Sequence, residues 1–163
     1  MMRFRGAARL RAYVETPAHV SLVVRMALWG GTVHLLKYVV PLPTLVRMMR
    51  LAPSFEHTAD VARECERIVT LARWACRATQ WSPQGRCLEQ GLVAYRYLSR
   101  LHVDPYLVVG VRPEDEARGA RGHAWVEAGG RVIGEDRDAV APFTRILTFD
   151  PGGELLREGA VVR

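Results

Sequence analysis

Residues 86–98 read R-C-L-E-Q-G-L-V-A-Y-R-Y-L, and the organisation of the chain follows from how this stretch folds. Cys87, Gly91, Ala94 and Leu98 recur at i, i+4, i+7 and i+11, the spacing of one helical stripe. Gly91 and Ala94 are small, so a β-sheet can pack close beneath the cysteine. The preceding segment, Gln80-Trp81-Ser82-Pro83-Gln84-Gly85, contains Pro and Gly, which force a turn and put Cys87 at the helix start. A helix N-terminus lowers a thiol pKa, and its free backbone N–H groups can receive an oxyanion.

Downstream, the period changes from helical to extended. Tyr106–Val111 (Y-L-V-V-G-V) is strongly β-forming, and Pro113–Arg121 is a charged loop. His123–Ala128 and Arg131–Gly134 flank Gly129-Gly130, which signals a hairpin. After Pro142, Phe143–Phe149 alternates like a further strand, and Val161-Val162 near the end could pair.

Upstream, the chain reads helical. Thr16-Pro17 is a helix entry, and Leu22, Met26 and Trp29 follow at helical spacing until Gly30-Gly31, where a kink or end is expected. Pro41-Leu42-Pro43-Thr44 breaks the pattern before a short helix at Leu45–Leu51. Pro53-Ser54 restarts the chain, and a longer helix runs from about Glu56 to Thr79. Val61, Cys65, Ile68, Ala72 and Cys76 share one stripe of it, which makes Cys65 and Cys76 small buried apolar residues. The fold class is therefore α+β: helices first, then a small antiparallel sheet. Residues 1–52 form an N-terminal helical region for packing or partner binding, and residues 53–163 form the core, within one structural domain.

Composition bounds the rest. With 49% hydrophobic and 25% charged residues, the 163-residue chain is globular. The net charge is +6 and the only lysine is Lys37, so the basic surface is almost all Arg. It suits an acidic peptide, a nucleotide or an acidic protein, and no nucleic-acid partner is expected. Three cysteines without a C-x-x-C exclude a disulfide framework and a zinc knuckle. No cleavable signal peptide is visible, so the expected location is the cytoplasm. Arg25, His34, Lys37, Pro41 and Pro43 interrupt the apolar residues 18–49, leaving no run of the about 18–20 needed to span a bilayer. Membrane contact is not expected.

The chemistry rests on Cys87 and His123. A cysteine at a helix start and a histidine on a neighbouring strand are the parts of a thiol nucleophile and its base. A third group must orient the imidazole, and the choice depends on hairpin register. A two-residue turn at Gly129-Gly130 sets His123 opposite Asp136. A three-residue loop, Ala128–Gly130, sets it opposite Glu135, and also pairs Glu127 with Arg131 and Trp125 with Ile133. The charge pair favours Glu135, with Asp136 as the alternative acid. Asp138 is expected to cap the following turn. Gln84 or Gln80 is the candidate side-chain donor to an oxyanion, and Trp81 and Trp125 are placed to wall a cleft.

The stretches R-C-L-E-Q-G-L-V-A-Y-R-Y-L, Y-L-V-V-G-V-R and G-H-A-W-V-E-A-G-G-R-V-I-G-E-D resemble the transglutaminase-like cysteine peptidases of lasso-peptide biosynthesis. The resemblance covers roughly residues 80–150, about half the chain. It implies a papain- and transglutaminase-like core and a peptidase that removes the leader from a ribosomally made precursor. It also implies a Cys-His-acid triad at Cys87, His123 and the position of Glu135, where Asp is commoner in the family. The implied partners are the precursor peptide, a separate leader-recognition protein and an ATP-dependent macrolactam cyclase. Family processing is associated with ATP, but no G-x-x-x-x-G-K-[ST] occurs here, so no cofactor, nucleotide or metal site is expected. Acyl transfer and a non-catalytic binding module are the alternative functions.

Overall fold

A computed structural model of the chain describes residues 17–52, 60–79, 86–113 and 120–156. Among the described residues, four helices precede a five-stranded antiparallel sheet, the α+β arrangement expected from the sequence. The helices are α1 (Pro17–Leu36), α2 (Leu42–Met49), α3 (Val61–Thr79) and α4 (Arg86–Leu98). The sheet comprises β1 (Pro105–Pro113), β2 (Ala120–Ala128), β3 (Arg131–Val132), β4 (Thr144–Phe149) and β5 (Leu155–Leu156), with a one-turn helix α5 (Arg137–Val140) between β3 and β4. The strand order is β3-β2-β1-β4-β5. The anticipated segments around Thr16, Pro53-Ser54, Gln80–Gly85 and Val161-Val162 lie outside the described residues.

The apolar stripe of α3 is buried as its periodicity requires, and Asp60 caps the helix by accepting the Arg63 N–H at 3.0 Å. Helices α3 and α4 pack on each other, and α4 lies on β1 and β2. Gly91 permits that last contact, because a Cβ there would stand 3.0 Å from Leu107 and 3.8 Å from Ala124. One core cluster joins Met26 and Val33 of α1, Leu45 and Met49 of α2, the α3 stripe, Leu92 and Tyr95 of α4, Leu107 of β1 and Phe149 of β4.

Three local expectations are corrected. Helix α1 runs through Gly30-Gly31 without a break, since Gly30 is buried where a Cβ would meet the Cys76 sulfur at 3.0 Å. The glycine serves close helix packing there. Helix α2 starts at Leu42, with Pro43 in its first turn, where a missing N–H costs nothing. Helix α1 also exceeds the expected apolar run. Over 20 residues, with a mean hydropathy of 1.2, it is long and apolar enough by length and composition to cross a membrane. Arg25 is its only Lys or Arg, and Lys37 falls just past its end. Its inner face buries Met26, Gly30 and Val33 against α3 and α4. Val20, Val24, Leu28 and Leu35 are exposed.

The β2–β3 hairpin sets the geometry of everything that follows. Glu127 pairs with Val132 and Ala128 with Arg131, so Gly129-Gly130 is a two-residue turn. Both glycines have positive φ, 57° and 72°, as the type I′ hairpin turn demands. The three-residue loop favoured from the charge pattern is not formed. Glu127 meets Arg145 of β4 across the sheet instead, at 2.7 and 3.1 Å.

Candidate active site

Strand β3 is only two residues long, and this decides what occupies the edge of β2. Ile133 gives one more ladder bond, its N–H donating to the Val126 carbonyl at 3.0 Å, and the chain then turns away at Gly134 (φ 75°). Continued in register, it would cover residues 122–124 of β2. The start of α4 takes that place. The Cys87 thiol faces the Gly122 carbonyl at 4.0 Å, the outer limit for a sulfur hydrogen bond. As a thiolate it accepts from the Ala124 and Leu88 N–H groups and from His123.

His123 is held on three sides. Its Nε2 lies 2.7 Å from Oε2 of Glu135, which leaves Nδ1 for the thiol. Trp125 stacks behind the ring at a centroid distance of 5.9 Å, and Phe143 tilts against it at 5.1 Å. Gly110, the β1 partner of His123, makes room for the indole: a Cβ there would lie 2.9 Å from the Trp125 ring. The indole N–H donates to Glu127 at 2.8 Å, so the residue that supports the imidazole is itself anchored.

The electrostatics follow from these contacts. Burial pushes the Cys87 thiol up, but the His123 hydrogen bond, the Ala124 N–H and the imidazolium charge outweigh it, and the pKa falls below the usual 9.0. Hydrogen bonds to Cys87 and Glu135 raise His123 to about 9, against a smaller desolvation effect. Burial alone would raise Glu135, but the hydrogen bond and charge of His123, then the charge of Arg73, hold its carboxyl below the usual carboxylate value. At neutral pH these directions favour a thiolate–imidazolium–carboxylate chain. The other cysteines behave oppositely: burial raises Cys65, and it pushes Cys76 up to about 12.

Among the residues singled out from sequence, Cys87, His123 and Glu135 converge. Asp136 does not. It is exposed, at the N-cap position of α5, without a side-chain capping bond, and Asp138 sits within the first turn of that helix and does not cap it. Gln84, Gln80 and Trp81 lie outside the described residues. Sequence reasoning missed the support given by α3. Arg73 donates to both the Gly134 carbonyl and Oε1 of Glu135, and Glu66 accepts the Gly134 N–H at 3.1 Å. Glu66 and Arg73 each follow one position after the apolar stripe residues Cys65 and Ala72, and that i, i+7 polar edge was the available signal. Among the described residues, no cluster of His, Cys, Asp and Glu has the form of a metal site.

No match to the chain is found among curated proteins or among solved structures. A family model, described as Transglutaminase-like superfamily, matches residues 31–148. The chain belongs to that superfamily, which supports a cysteine peptidase or acyltransferase-like activity.

Proposed function

We propose that this transglutaminase-like protein is a cysteine peptidase that cleaves the leader from a ribosomally synthesised lasso-peptide precursor. The observation that carries the catalytic part is the contact chain from the Cys87 thiol through His123 to Glu135, on the edge of β2 that β3 leaves open. The substrate assignment rests on the resemblance of residues 86–98, 106–112 and 122–136 to the leader peptidases of those pathways.

In the proposed mechanism, Nδ1 of His123 takes the Cys87 proton, and the thiolate attacks the carbonyl that joins leader to core peptide. The tetrahedral oxyanion is received by the Cys87 N–H at the start of α4, with a further donor from the preceding loop, for which Gln84 is the candidate. The imidazolium then protonates the leaving amine of the core peptide, giving a thioester on Cys87. Water, deprotonated by His123, attacks the thioester, releases the leader as a carboxylic acid and restores the thiol. Glu135 holds the ring orientation and stabilises the imidazolium throughout. No step calls for a metal or a nucleotide.

The proposed partners are a leader-recognition protein that delivers the precursor and a macrolactam cyclase that closes the released core. The exposed apolar face of α1 supports such a delivery surface. The proposed compartment is the cytoplasm, where a catalytic thiol stays reduced. The test is cleavage of a precursor peptide supplied with its recognition protein, followed by mass spectrometry. The native chain should release a leader ending in a free carboxylate, and Cys87→Ala should release none while keeping its melting temperature. Cleavage by Cys87→Ala would refute the nucleophile. A leader capped by an added amine, in place of a free acid, would reassign the activity to acyl transfer.

A further inference from the structure

Extended past its end, the β2–β3 register would set Asp136 opposite His123, yet Glu135 makes the contact. Something outside the ladder therefore turns the chain by one residue, and it lies on α3. Glu66, Val69 and Arg73 recur at i, i+3 and i+7 and form one stripe facing the turn. Glu66 accepts the Gly134 N–H at 3.1 Å. The Val69 side chain fills the space above the Gly134 Cα, where a Cβ would come within 2.4 Å. Arg73 uses its fork geometry: one amino group binds the Gly134 carbonyl and the other binds Oε1 of Glu135. The two carboxylate oxygens are thereby divided, Oε1 to the guanidinium and Oε2 to the imidazole.

We infer that Arg73 is the positioning residue of the active site, clasping the Gly134–Glu135 turn so that Glu135, and not Asp136, orients His123. The inference rests on the triad reading above but not on the identity of the substrate. The charged groups on Glu135 are Arg73 from α3 and His123 from β2; Glu66 of α3 binds the neighbouring Gly134 N–H, the Cys87 thiolate contacts the far side of the imidazole, and Asp136 and Arg137 follow in the chain. Arg73 is the cation on the side of Glu135 away from the imidazole. Without it, Glu135 loses the partner that holds its rotamer, the imidazolium loses its carboxylate, and the thiolate loses the cation that stabilises it.

The test is the rate of iodoacetamide alkylation of Cys87 as a function of pH, in the full chain and in Arg73→Gln, Arg73→Met and Arg73→Lys. The neutral variants should move the alkylation midpoint upward by about one pH unit, towards an ordinary thiol. Arg73→Lys should recover most of that shift, because an ammonium reaches the carboxylate although it cannot fork to the Gly134 carbonyl as well. A purely structural role would lower the melting temperature and leave the midpoint unmoved. Arg73 lies on a partly exposed helix face, so the glutamine variant keeps the fold. A neutral variant whose midpoint equals that of the native chain overturns the inference. If instead Cys87 of the native chain already titrates as an ordinary thiol, the triad reading itself fails, and the two failures are told apart by that one curve.

Discussion

Four groups crowd the His123 ring, and two of them act on its charge. The thiol and the carboxylate favour the imidazolium, and the stacked indole and phenyl rings hold it against both. A pKa of about 9 for His123 and a thiol pKa below 9.0 bracket a window in which the ion pair exists. Activity should rise as pH passes the lowered thiol value, because the nucleophile forms. It should fall as pH passes about 9, because the imidazolium that protonates the leaving amine is lost. Both limbs belong to the coupled pair and not to either residue alone. Glu135→Gln removes the charge that raises His123, so the falling limb should move down, and kcat should drop by about 100-fold. Asp136→Asn, at an exposed position without a bonding role, should change kcat by less than about threefold. Measured kcat–pH profiles of both variants check this; the reverse order of effects would make Asp136 the acid.

At the scale of elements, the short β3 is the decisive feature. A longer strand would pair with the edge of β2 and exclude the start of α4. The chain leaves the ladder at Gly134, where a positive φ and the Val69 side chain both require glycine. Gly134→Ala should cost about 3 kcal/mol in folding free energy, from left-handed strain and overpacking against Val69. It should also displace Glu135, so that kcat falls along with the melting temperature. Thermal denaturation and a kinetic assay on the same preparation test this, and a variant native in both would show that the turn tolerates a side chain. The elements themselves were legible in the sequence, because their signals are local: the α3 stripe, the β-branched run of β1, and the glycines of the hairpin. The register departs from the expectation because the turn chemistry of Gly-Gly outweighs the cross-strand charge pair of Glu127 with Arg131. Two positive-φ residues favour a two-residue turn more strongly than one exposed ion pair favours a bulge. Glu135 nevertheless makes the His123 contact, for a reason invisible in local sequence: its other oxygen is held by α3, sixty-two residues away.

Across the whole molecule, the fold sorts three cysteines that the sequence spaces evenly. Cys65 and Cys76 face the core between the helices and the sheet, and Cys87 faces the open edge of β2. The helices also brace the helix that carries Cys87. Glu89, two residues after Cys87 and buried, accepts a hydrogen bond from Lys37 at 2.7 Å and lies 3.1 Å from His34. The only lysine of the chain thus ties the end of α1 to the first turn of α4. The central claim is that this architecture makes one thiol of three a nucleophile. Competitive alkylation of the native chain by iodoacetamide across a pH series, read by peptide mass spectrometry at each cysteine, tests it most directly. Cys87 should react fastest, with a midpoint below that of a free thiol, while Cys65 and Cys76 stay protected until the protein unfolds. Equal labelling of the three, or an ordinary midpoint at Cys87, would contradict the account.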